Sequence, residues 1–80
     1  MMNQGDLQAH GTERLSTLTA REREVLALIA EGLSKREVAA SLNISRSTVD
    51  VHSCRIYEKL AVGNAIKATR VAIRGGLVAA

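Results

Sequence analysis

Residues 34–60 run SKREVAASLNISRSTVDVHSCRIYEKL, and the punctuation inside this stretch decides the fold. Ser34 stands three residues before Glu37, the spacing at which a hydroxyl and a carboxylate each satisfy the other's free backbone N–H at a helix start. Val38, Ala39 and Leu42 then fall on one helical face. Asn43 suits a left-handed turn position, and Ile44 brings the chain back to the core. Ser45 opens another helix, with Thr48 in its first turn, predicted over about 46–60 with Val49, Ile56 and Leu60 facing inward. A helix of about two turns, a link of about three residues and a longer helix have the spacing of a helix-turn-helix.

The same start signal precedes this unit. Thr19 and Glu22 repeat the capping box, and Leu18 is placed as a hydrophobic staple. Val25, Leu26, Leu28 and Ile29 supply an apolar face, and Gly32 ends this first helix. Beyond residue 60, a fourth helix is predicted from near Asn64 to Arg74, stopping at Gly75-Gly76, with Leu77 and Val78 folding back. Its apolar and small residues spread over more than half its circumference, while Lys67, Arg70 and Arg74 cluster on the remainder. One core-facing stripe needs only about 100°. The excess predicts a second contact, a homodimer seam drawn from Ile66, Ala68, Val71, Ala72 and Ile73.

Composition agrees with an all-α, four-helix domain. The 80 residues include no Pro, Trp or Phe and one Tyr, so the core is built of small aliphatics without proline breaks. Residues 1–16 are polar and aperiodic and are expected to form a flexible leader or linker, leaving 17–80 as the domain. The single cysteine, Cys54, fits a reducing compartment, and neither a signal peptide nor a membrane span is legible, so a cytoplasmic location is expected. Residues 1–32 carry Arg14, Arg21 and Arg23 against five carboxylates, whereas residues 33–80 carry eight basic side chains against Glu37, Asp50 and Glu58. The second half is therefore the one suited to a polyanion. The chain has no glycine-rich phosphate loop, no metal-ligand cluster and no nucleophile–base pair, so no enzyme activity, cofactor or metal is expected.

Leu18 to Leu26, Glu31-Gly32-Leu33-Ser34, Ile44-Ser45, Thr48-Val49, His52, Lys59-Leu60, and then Ala68, Ala72 and Gly76-Leu77 together resemble the LuxR/FixJ-type helix-turn-helix family. The resemblance covers about residues 18–78. It implies a tetrahelical DNA-binding domain of a bacterial transcription regulator, with the third helix in the major groove and dimerisation through the fourth. Such domains usually follow a phosphorylatable receiver or a ligand-binding domain. Neither is legible here, which leaves an excised output domain or a natural stand-alone version. Three positions depart from the family's habit: a basic residue is frequent where Asp50 stands, Asn where Arg55 stands and Arg where Ala65 stands.

With Val49, Ile56 and Leu60 inward, the opposite face presents Ser47, Asp50, Val51 and Cys54, the expected base-reading surface. Val51 suits a thymine methyl, and Asp50 either accepts from cytosine N4 or only stabilises the helix start. Lys35, Arg36, Arg46, Arg55 and Lys59, with the hydroxyls of Ser34, Ser45 and Thr48, are the expected phosphate contacts. Arg21 and Arg23 are expected to pair with neighbouring glutamates, and His52 to pack or to bond a phosphate. The rival to double-stranded DNA as partner is an interaction module that pairs with full-length regulators without productive DNA binding. Asp50 and Glu58 on the groove face are its support.

Overall fold

The computed structural model describes residues 14–79, all of them helix, turn or link. Four complete helices follow in order: α1 (Ala20–Ala30), α2 (Lys35–Leu42), α3 (Arg46–Leu60) and α4 (Ala65–Arg74). Each begins where its capping residue stands. The Thr19 and Ser34 side chains accept from the backbone N–H of Glu22 and Glu37, and both glutamates return the bond to the cap's own N–H. Ser45 and Asn64 cap α3 and α4 by accepting from the N–H of Thr48 and Lys67. These bonds satisfy donors that have no partner within the helix, and each is worth about 1 kcal/mol.

All four helices also end alike. The residue after the last turn takes a left-handed conformation at Gly32, Asn43, Ala61 and Gly76. The next residue's N–H then reaches back five positions, as in Leu33 to Leu28 O (3.1 Å), Ile44 to Ala39 O (3.0 Å), Val62 to Tyr57 O (3.0 Å) and Leu77 to Ala72 O (2.9 Å). Gly32 and Asn43 are the stops expected from their residue types. Ala61, at φ 55°, is not, because its Cβ crowds the following carbonyl.

Packing follows from these ends. α1 lies against both α3 and α4, and α2 packs chiefly on α3. The buried core is Leu18, Val25, Leu26, Val38, Ala39, Val49, Ile56, Leu60, Ala68 and Ala72, joined by Leu15. Leu28, Ile29, Leu42, Ile44, Leu77 and Val78 pack at its margin, as their periodicity requires.

Leu15 corrects the expected leader. Residues 1–13 lie outside the described residues, but 14–16 are helical and the Leu15 side chain is buried. It seats on Gly75, where a Cβ would overlap Leu15 Cδ1. Arg14 Nη1 donates to Leu60 O at 3.2 Å, satisfying a carbonyl at the end of α3. The ordered unit therefore starts no later than Arg14, because a core leucine and a helix-end bond hold that turn in place.

Glycine carries no Cβ penalty in the left-handed region. Ala61→Gly is therefore expected to stabilise the domain by about 0.5–1 kcal/mol. The urea midpoint should rise at unchanged slope; a lower midpoint would show that the strain at residue 61 is absent.

Candidate nucleic-acid interface

One side of α3 belongs to the core. Val49, Ser53, Ile56 and Leu60 are buried at spacings of four, three and four residues, the rhythm of a helix with one inward stripe. The opposite arc is open. Ser47, Asp50, Val51, Cys54 and Glu58 are all exposed, with Arg55 beside them. Val51 is an apolar side chain left 48% exposed there. The four expected base-reading residues thus come together on one face that neither α4 nor α1 covers.

The start of α3 is rich in hydroxyls. Ser45 Oγ accepts from Thr48 N (3.1 Å) and lies 3.1 Å from Ser47 Oγ and 2.8 Å from Thr48 Oγ1. Three hydroxyl protons serve these two mutual bonds, so one is left to donate outward. Ser34 Oγ accepts from Glu37 N at 3.2 Å, which leaves its own O–H as a donor. Both groups sit at helix starts, where free N–H groups and the helix dipole favour an anion.

The cations divide into two sets. Arg36, Arg46 and Arg55 are exposed and have no carboxylate partner among the described residues. Lys35 Nζ is held 2.7 Å from Asp50 Oδ1, a pair that joins the first residue of α2 to the edge of the reading face. Arg21 pairs with Glu24 at 3.1 Å on the outside of α1, as expected of a helix-surface pair.

Lys59 corrects the expected phosphate set. Its Nζ is 2.7 Å from Oε1 of Glu22, whose side chain is only 3% exposed. Burial pushes the Glu22 carboxyl up, but the bonds from Lys59 and Thr19 outweigh it and hold the group below its ordinary value. Lys59 is thus committed to neutralising a buried carboxylate that caps α1. The link spans 37 residues of sequence and carries no local signature.

Ala68 and Ala72 correct the expected seam on α4, since both are fully buried in the domain's own core. Val71 is half-buried against the core. The outward arc keeps Ile66, 68% exposed, and Ile73, 37% exposed, with Arg70 between them. His52 is half-buried at the edge of α3, and its Nδ1 and Ser53 Oγ lack a partner among the described residues. No group of side chains among the described residues has the makings of a metal site.

Residues 16–72 match the family model described as bacterial regulatory proteins, luxR family. The chain is 44% identical over 59 residues to the "Probable transcriptional regulatory protein SgaR" of Hyphomicrobium methylovorum, covering 74% of this chain and 28% of that protein. It is 43% identical over 60 residues to the "Uncharacterized response regulatory protein YgeK" of Escherichia coli K12, covering 75% and 41%. It is 42% identical over 57 residues to the "Transcriptional regulatory protein UhpA" of the same organism, covering 71% and 29%. The chain therefore spans less than half the length of each of these relatives.

The placement of Lys59 has a measurable consequence. Lys59→Met should cost about 2 kcal/mol of folding stability, the worth of a hydrogen bond to a charged group. Because the Glu22 carboxyl is depressed in the fold, its contribution is complete above its ordinary value of 4.5 and is lost as pH falls through the folded value. Urea unfolding from neutral to acid pH should show this decline in the wild type and a shallower one in Lys59→Met. Parallel curves would remove the ion pair from the account.

Proposed function

This chain belongs to the luxR family of bacterial regulatory proteins, and we propose that it binds duplex DNA sequence-specifically as the output domain of a transcription regulator. The family assignment makes it a non-enzymatic DNA-binding domain of such regulators. The observation that carries the finer proposal is the bare outer arc of α3, flanked by Arg36, Arg46, Arg55 and two capped helix starts. A helix presented in this way suits the major groove, with the residues of its N-terminal half at base edges.

In this arrangement Ser47, Asp50, Val51 and Cys54 meet bases. Arg36, Arg46, Arg55 and the hydroxyls of Ser34, Ser45 and Thr48 meet phosphates. Two copies pair on DNA through the Ile66–Ile73 face of α4. Exposed isoleucines seven residues apart on one helix face, in a domain whose other large aliphatics are mostly sequestered, support that seam. Among the described residues no helix is long and apolar enough to cross a membrane, and the proposed place of action is the cytoplasm. In a longer protein, a receiver or ligand-binding domain would precede this one and supply the signal.

Two measurements test the proposal. Affinity for duplex should fall with salt at a log–log slope near about −5, from two subunits each presenting three arginines to phosphates. A chain that shows no saturable binding at low salt is instead a pairing module. Separately, Ile66→Glu and Ile73→Glu should each weaken two-to-one assembly on DNA by roughly tenfold or more, since each buries a charge in the seam. Unchanged sedimentation and stoichiometry in both variants would move the seam elsewhere.

A further inference from the structure

Lys35 and Asp50 are fifteen residues apart in sequence, yet Nζ and Oδ1 are separated by 2.7 Å. Their side chains are 51% and 53% exposed, and such a surface pair contributes little to folding. What it does is geometric. It binds one carboxylate oxygen to the start of α2 and leaves Oδ2 with no partner among the described residues. The Lys35 ammonium is held above its ordinary value by the hydrogen bond and charge of Asp50, which outweigh the opposing effect of burial. With its Nζ on Asp50, the lysine reaches from the start of α2 to the exposed arc of α3.

A carboxylate entering a DNA groove meets phosphate repulsion on both sides, which a neighbouring ammonium offsets. Aspartate can recognise a base only as an acceptor, and in the major groove cytosine N4 is its partner, because the adenine amino group sits beside the N7 acceptor, which repels a carboxylate. Both requirements are met when one oxygen is tied to a lysine and the other is left outward.

We infer that Lys35 is a positioning residue for base recognition: it holds the Asp50 carboxylate on the outer face of α3 with one oxygen free for the exocyclic amino group of a cytosine, and does not anchor a phosphate. This rests on the DNA-binding proposal above. It reverses the simpler assignment of Lys35 by charge alone, and it gives Asp50 a base-reading part in place of a merely helix-stabilising one.

The test is selection from random duplexes followed by affinity measurement for wild type, Lys35→Met, Lys35→Arg and Asp50→Ala, each first checked for an unchanged thermal midpoint. Lys35→Met and Asp50→Ala should lose preference, by about tenfold, at the same single G·C pair of each half-site while keeping the others. Lys35→Arg, which preserves the charge and a donor, should retain most of that preference. The inference is overturned if Lys35→Met keeps every base preference and weakens all duplexes alike, with a salt slope shallower by about 0.9 per subunit, the signature of a lost phosphate contact. Absence of saturable binding by the wild type would overturn the DNA-binding proposal, and this inference with it, and is distinguished by failing before any variant is compared.

Discussion

Everything in this domain depends on one helix having two environments. The core takes Val49, Ser53, Ile56 and Leu60 from α3, with Tyr57 at its margin, and the arc of Ser47, Asp50, Val51, Cys54 and Glu58 is left exposed. The 3.6-residue period makes that division possible, and α1, α2 and α4 all pack on α3 while its outer arc stays exposed. Because the outer arc contributes little to folding, its residues are free to be chosen for a ligand. Val51 and Cys54, an exposed valine and an exposed thiol in adjacent turns, make sense on that arc and would be poor choices for a surface that had only to stay soluble.

Charge is distributed by the same division. Two of the lysines that lie near α3 are already occupied, but in different ways. Lys59 serves the interior, where Glu22 would otherwise be a buried carboxylate with only Thr19 to satisfy it. Lys35 serves the exterior, where it is paired with an acid on the open face. Arg36, Arg46 and Arg55 are left over, and guanidinium groups suit phosphate geometry better than ammonium groups do. A formal charge of +3 therefore understates how specifically the positive groups are assigned.

Much of this was legible in sequence because it is local. Capping boxes at Thr19/Glu22 and Ser34/Glu37, the Gly32 and Asn43 stops and the inward stripe of α3 are read from residues within a turn or two of each other, and the structure has each of them in place. What was not legible is nonlocal or runs against residue preference. Ala61 takes a conformation that favours glycine, so its residue type points away from it. Leu15 lies in a polar stretch, and only its contact with Gly75, sixty residues on, reveals its burial. On α4 the periodicity exposed a wide apolar arc but not which part faces inward. The structure puts Ala68 and Ala72 in the core and leaves Ile66 and Ile73 outside. Within the candidate interface, the open face was readable from the wheel. The partners of Lys35 and Lys59 were not, since both pairs form only when separate helices meet.

The most direct test of the central claim is an amide-resonance titration of the 80-residue chain with a duplex obtained by selection. With α3 docked in a groove, the largest changes fall on Ser45 to Arg55 and on the start of α2 at Ser34 to Arg36, with α1 nearly unmoved. Changes centred on α1 or spread through the core, with the outer arc of α3 silent, would contradict it.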